Sequence, residues 1–377
     1  MIYKNALITT KEQQFYGWLE VDEQGLLVQM QPGQTELAGY DCQNQVLMPA
    51  FIDAHSHGGY GFSFNHLSQK AAYKNFLVQL KTEGIAAFMP ASVTAPMQQL
   101  HQDLPVIKSY LEKQAAGLPQ MLGWYYEGPF ISLAKKGAHE ADLIQPLNEA
   151  FLKALKATLA NWPLIITVAA EEPLNQALIQ QYSNDFLFSL GHSNASYSEA
   201  KTVLANGIKW ITHLYNAMSG FSHSKQTGIL NALFNKEFRA DLMIELIADA
   251  IHVAPEVIEF TYKHFPIEQL CLVTDALPAK GLADGLYHLA NLAIEKKGQA
   301  FYLENSTTLA GSALKYNQLV KSFFQITNCT WNELVLVSSY NVARALKLPN
   351  YYGNFVVGKP LKMVLLDQDF NVVQTLI

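Results

Sequence analysis

An α/β fold is predicted: a (β/α)8 TIM-like barrel with a small β-sandwich domain built from both chain ends. Three observations predict it. Short runs that are apolar throughout alternate with helical patterns, as in a parallel sheet covered on both faces. About eight such runs occur, the number that closes a barrel. Both ends of the chain read as strands, and no convincing helix interrupts residues 1–48.

The elements follow in order. Tyr3–Ile8, Gln14–Val21 and Gly25–Met30 carry β-branched, aromatic and leucine residues separated by polar turns such as Asp22-Glu23-Gln24-Gly25. Val46–Ile52 opens the alternating region. Ser68–Lys81 reads as a helix and Ile85–Val93 as a strand. Gln120–Tyr126 is a strand, and Asn148–Asn161 a helix. Leu164–Ala169 and Phe186–Leu190 are strand runs, followed by a helix at Ser196–Asn206. Trp210–Thr212, Leu242–Ile247 and Leu270–Thr274 complete the set, with a helix at Pro255–Phe265. Gly281 to Leu303 has hairpin character, and helices are expected near Ser312–Ile326 and Trp331–Leu346. Tyr352–Ile377 returns to strands. Residues 1–48 plus 351–377 are therefore assigned to the β domain, and residues 49–350 to the barrel.

Composition narrows the function. The 377 residues are 50% hydrophobic and only 15% charged, with a net charge of −6. That excludes a basic nucleic-acid footprint. Cys42, Cys271 and Cys329 are few, odd in number and far apart, which argues against a disulfide framework. The N-terminus lacks the apolar core of a signal peptide, and no uncharged apolar stretch is long enough to span a bilayer. A cytoplasmic protein without nucleic-acid or membrane partners is expected.

The chemistry sits where the apolar runs end. They deliver Asp53-Ala54-His55-Ser56-His57, Glu127, Gly191-His192, His213 and Asp275. In a barrel the C-terminal strand ends open onto one face, so these side chains share a rim. Imidazoles and carboxylates suit a divalent ion, zinc foremost and iron or manganese next. Residues two apart in a strand point to the same side, so His55 and His57 can share a target. A lone His at a strand end is ordinarily a hydrogen-bonded core residue; five coincident placements are not so explained. His66, His101 and His264 read as surface residues, and His288 lies in the hairpin. Gly58-Gly59 lacks the Walker pattern, and Leu309-Ala310-Gly311-Ser312 is no nucleophile elbow.

Several segments then point one way together. They are MPAFIDAHSHGGYGFSF at Met48–Phe64, YEGPF at Tyr126–Phe130, KKGAH at Lys135–His139 and LGHSNASY at Leu190–Tyr197. THLYNAMSG at Thr212–Gly220, IADAIHV at Ile247–Val253, LVTDA at Leu272–Ala276 and LAGSAL at Leu309–Leu314 continue the series. The chain resembles the N-acetylglucosamine-6-phosphate deacetylase family of the amidohydrolase superfamily, including its N-acetylgalactosamine-6-phosphate branch. The resemblance implies Glu127, His192 and His213 as the main metal site, with His55 and His57 completing a second in members that use two ions. It implies Asp275 as general base and acid, and His139 with the Ala138 backbone as contacts to the acetamide. Asn216, Ala217, His252 and Leu309 would line the sugar and phosphate pocket, and a homodimer is the usual assembly.

The chain departs from the family in three places. Tyr125 stands where members often have His, as in the galactosamine branch. The phosphate-binding Arg of an H-R-E-P-G segment is replaced by Ser224-Lys225-Gln226-Thr227-Gly228, with one extra residue. Lys225 keeps the spacing to the glycine, and so the charge but not the bidentate fork. Leu361-Lys362-Met363-Val364 replaces a C-terminal A-D-L-V. The implied reaction is hydrolysis of the N-acetyl group of an amino-sugar 6-phosphate. The bound ion polarises the carbonyl and activates water, and Asp275 moves the proton. Two other readings remain open: a related amidohydrolase on an unphosphorylated small amide or cyclic amide, and a non-catalytic metal- or sugar-binding protein. Asp275 speaks against the last, since binding alone needs no base.

Overall fold

A computed structural model describes residues 1–238 and 241–377. Eight parallel strands follow one another around a nearly closed barrel: Phe51–Ser56, Ile85–Ser92, Trp124–Tyr126, Leu164–Val168, Leu187–Leu190, Ile208–Ile211, Met243–Leu246 and Leu270–Leu272. The seam between the last and first strands is closed by a few bonds rather than a full ladder. Asp275 N–H donates to the His55 carbonyl at 3.0 Å, and His57 N–H to the Ala276 carbonyl at 2.8 Å.

Helices pack outside the barrel. Lys70–Thr82, Glu149–Leu159, Tyr197–Asn206 and Pro255–His264 fall where helical spacing predicts them. Ser196 caps one in a capping box with Glu199, and Asn148 caps another through Phe151 N–H. Met97–Glu112 and Pro173–Tyr182 add helices that the apolar periodicity does not single out. The first of them runs unbroken through Pro105.

The strands at the two chain ends join in one seven-stranded sheet around its own core, which includes Ala6, Ile8, Leu19, Leu47 and Met363. The run expected as one strand at Val46–Ile52 is divided between two sheets. Val46–Pro49 pairs in the end sheet, and Phe51–Ser56 pairs in the barrel. The cause lies in two successive amides. Ala50 N–H reaches the Lys362 carbonyl at 3.1 Å, whereas Phe51 N–H reaches the Gly84 carbonyl at 2.9 Å. One peptide unit thus switches sheets, and His55 lies within a strand rather than after it.

Two further expectations are corrected. The hairpin region is a four-stranded antiparallel sheet, Gly285–Leu289, Leu292–Lys297, Ala300–Leu303 and Leu309–Ser312. Ser312 therefore ends a strand, and the helix begins at Tyr316, whose N–H is held by Glu83 Oε2 at 2.6 Å. The helix expected at Trp331–Leu346 contains a π-helical turn at Leu336–Tyr340. Glu83 also pairs with Lys280 at 2.7 Å, both fully buried, and so ties down the loop that follows Asp275. No helix among the described residues is long and apolar enough to cross a membrane. Cys42, Cys271 and Cys329 are buried free thiols.

Candidate active site

Glu127, His192, His213, Asp275, His55 and His57 meet at the C-terminal mouth of the barrel, all buried. Backbone conformation turns three of them inward. His192, His213 and Asp275 lie two or three residues past the ends of their strands and adopt left-handed φ values of 45°, 26° and 49°. Such conformations are costly for residues with a Cβ and persist where the surroundings impose them, commonly at functional sites. Gly191 permits the close approach of two strands: a Cβ there would lie 2.4 Å from Thr212 Cβ.

Glu127 is the centre. Its Oε1 lies 2.8 Å from His213 Nε2 and 3.1 Å from His192 Nε2. Its Oε2 lies 2.9 Å from His57 Nε2 and 3.7 Å from His55 Nε2. Asp275 Oδ1 stands 3.2 Å from His57 Nε2 and 3.8 Å from His55 Nε2. Two sets of atoms therefore share one carboxylate.

The tautomers show what these groups are set up to hold. His57 Nδ1 faces the Ala91 carbonyl at 3.0 Å, and His192 Nδ1 faces the Lys135 carbonyl at 2.8 Å. A carbonyl only accepts, so each Nδ1 carries its proton and each Nε2 turns a lone pair inward. Those lone pairs face carboxylate oxygens and, for His192, the Nε2 of His213 at 3.1 Å. Lone pairs aimed at one another are repulsive unless a cation stands between them. His55 Nε2 and His213 Nδ1 are buried with no hydrogen-bond partner. Outward Nδ1–H bonds and inward Nε2 atoms are the usual dress of imidazole ligands. The donor set thus fits a divalent ion, with Glu127 common to two positions.

Electrostatics shows the same demand for positive charge, met by a proton when no ion is present. Burial would strip His57 of its charge, yet Glu127 and Asp275 hold its pKa up at about 9, so its inward Nε2 carries the proton that an ion would displace. Burial would raise Glu127, but the rings of His55 and His57 keep it well below the carboxylate range. Burial would likewise raise Asp275, and His57 holds it down.

His139 is arranged the opposite way. Its Nδ1 lies 2.6 Å from Thr94 Oγ1 and accepts the Thr94 backbone N–H at 3.3 Å. Its Nε2 therefore carries the proton and points inward, 3.6 Å from Glu127 Oε2. Burial pushes its pKa down to about 4, so the ring stays neutral. His139 is near enough to Glu127 and His192 to share an ion. Its tautomer makes it a donor instead. Gly128 of the EGPF segment serves this contact, since a Cβ there would lie 2.3 Å from Thr94 Oγ1.

The centre opens into a cavity of about 340 Å³. Ala138, Asn216, Ala217, His252 and Leu309 line it, together with Leu289 and Thr308. His252 is clamped by Asp249 through Nδ1 at 2.7 Å, and its buried Nε2 has no partner. Lys225 is not brought into this cavity. It lines an adjoining groove that shares Lys135 with it. No arginine among the described residues lines either space.

Sequence reasoning missed Thr94, Asp249 and Glu245. Glu245 left the clearest trace, an acid in the middle of the apolar run Leu242–Ile247.

Residues 46–377 match the amidohydrolase family. The chain belongs to that family. Among curated amidohydrolases, it is 31% identical to the N-acetylglucosamine-6-phosphate deacetylase of Bacillus subtilis (strain 168) over 341 residues, 88% of this chain and 83% of that protein. A solved N-acetylglucosamine-6-phosphate deacetylase from Thermotoga maritima superposes with a TM-score of 0.86 at 31% identity, covering 100% of this chain and 98% of that one. A Mycobacterium smegmatis N-acetyl-D-glucosamine-6-phosphate deacetylase variant, solved with N-acetyl-D-glucosamine-6-phosphate, gives 0.89 at 26% identity over 100% of this chain and 97% of that one. This amidohydrolase thus has the architecture of a hydrolase of amide bonds, with a buried group of His, Glu and Asp able to hold a metal.

Proposed function

We propose that this amidohydrolase removes the N-acetyl group of an amino-sugar 6-phosphate, N-acetylglucosamine-6-phosphate or its galactosamine epimer, releasing acetate. The carrying observation is the contrast among the histidines around Glu127: His57 and His192 offer lone pairs, while His139 offers an N–H. A hydrolase of an acetamide uses both, inward nitrogens to hold the ion and an N–H to meet the acetyl oxygen.

Glu127, His192 and His213 would hold one divalent ion, and His55 and His57 would complete a second position. Zinc is the first choice by donor chemistry. Such an ion supplies Lewis acidity and lowers the pKa of bound water. The chain's own groups do the rest. His139 donates from Nε2 to the acetyl oxygen as negative charge develops there. Asp275 takes the proton of the attacking water and passes it to the departing sugar nitrogen. His252 presents its buried Nε2 toward the sugar end of the cavity, and Asn216 and Ala217 flank it. A phosphoryl group at the junction of cavity and groove would meet Lys135 and, beyond it, Lys225. A cytoplasmic homodimer completes the reading.

Acetate release from the phosphorylated and unphosphorylated N-acetyl forms of both epimers tests it. The expected result is turnover of a 6-phosphate far above that of the free sugar. Turnover of small unphosphorylated amides instead would reassign the substrate.

A further inference from the structure

Glu245 lies in the strand Met243–Leu246, fully buried beneath the centre. Its Oε1 accepts the Trp210 Nε1–H at 2.7 Å. Its Oε2 accepts the backbone N–H of His213 at 3.0 Å and faces His55 Nδ1 at 2.9 Å. Indole and amide N–H groups only donate, so both oxygens act as acceptors and His55 Nδ1 is the third donor. A ring that donates from Nδ1 aims its Nε2 lone pair the other way. That nitrogen is buried without a hydrogen-bond partner, between Glu127 Oε2 at 3.7 Å and Asp275 Oδ1 at 3.8 Å. One carboxylate therefore grips His55 by its ring and His213 by its backbone. These two residues belong to different sets around Glu127.

We propose that Glu245 is a positioning residue that commits His55 to the tautomer able to ligate an ion, and so decides whether the position among His55, His57, Glu127 and Asp275 is filled. The inference rests on the metal-centre part of the proposed function and not on the identity of any substrate.

Glu245→Gln makes the demand visible. An amide has one accepting oxygen and one donating NH2, against three N–H groups that all need acceptors. With NH2 toward His55, the bond from the His213 N–H is lost, Nδ1 must accept, and an N–H turns into the metal position. With NH2 toward Trp210, the two indole and amide donors collide and the contact is lost.

The full-length protein is stripped with a chelator, reloaded with zinc, and measured by elemental analysis and titration calorimetry. The wild type is expected to take two ions per chain. Glu245→Gln should bind the second ion about 10–100-fold more weakly, the usual cost of losing a partner behind a ligand, while the first ion binds nearly as before. A purely structural role would weaken both ions alike or lower Tm only. Should Glu245→Gln fail to fold, histidine-selective ¹⁵N spectra of zinc-loaded wild type give the same test. The proton of His55 is expected on Nδ1 and the metal on Nε2. A wild type that takes one ion, a Glu245→Gln protein that holds both as tightly, or zinc on His55 Nδ1 overturns the proposal. If zinc loads as expected but no sugar phosphate is hydrolysed, the substrate assignment fails and the role of Glu245 stands.

Discussion

The backbone N–H of Asp275 donates to the carbonyl of His55 at 3.0 Å. The bond belongs to the seam that closes the barrel, and the residues it joins are the proposed base and a proposed ligand. Beneath it, Asp53 takes the Thr274 N–H at 3.1 Å and the Thr274 hydroxyl at 2.5 Å. The barrel is thus stitched shut where the chemistry is placed. The distance from base to ligands is set by these seam bonds, backbone and side chain together.

Asp275→Asn is the sharpest test of the proton path. The amide fills the same space but accepts no proton. A fall in kcat of roughly 10²–10⁴ is expected, with the ion on Glu127, His192 and His213 retained by elemental analysis. Wild-type turnover in a loaded Asp275→Asn enzyme would remove Asp275 from this role.

His192→Ala and His213→Ala each take away one of the two rings on Glu127 Oε1. Both variants are expected to lose bound metal and activity together. Full metal content in both would place the ion elsewhere.

His139 should behave differently from those two. His139→Ala is expected to keep its metal yet lose about 3–4 kcal/mol of transition-state stabilisation, the usual cost of one oxyanion donor. Thr94→Val should cost less, because the backbone N–H still holds Nδ1. Steady-state kinetics alongside metal analysis separates these outcomes. Loss of metal in His139→Ala would make it a ligand.

Phosphate recognition divides between two lysines. Lys135 borders both cavity and groove, and Lys225 borders the groove alone. Lys135→Ala is expected to cut the preference for the phosphorylated sugar, read as a ratio of kcat/KM values, more than Lys225→Ala does. Equal preference in both variants and the wild type would move the phosphate away from this junction.

Much of this arrangement is legible in the sequence because strands place residues simply. An apolar run followed at once by His, Glu or Asp puts that side chain on the barrel rim, and five runs do so. What stayed hidden depends on single bonds. The division of Val46–Ile52 between two sheets turns on which carbonyl each of two adjacent amides finds, and nothing in the side chains marks it. The helix Met97–Glu112 is obscured by Pro105, which reads as a stop but is tolerated in mid-helix here. Nothing near Glu245 in the sequence marks its role, since its partners Trp210, His213 and His55 come from other parts of the barrel. The placement of Lys225 followed the spacing to Gly228. The path of a loop with one extra residue is not written in that spacing.

The central claim is that acetate is released by the ion-loaded centre around Glu127. The most direct measurement strips the protein with a chelator, restores zinc stepwise, and follows acetate release from N-acetylglucosamine-6-phosphate and N-acetylgalactosamine-6-phosphate. The account predicts that stripped protein is inactive, that activity returns in proportion to bound ions, and that Glu127→Gln recovers neither. Undiminished acetate release from metal-free protein, or none from either sugar at full occupancy, would contradict it.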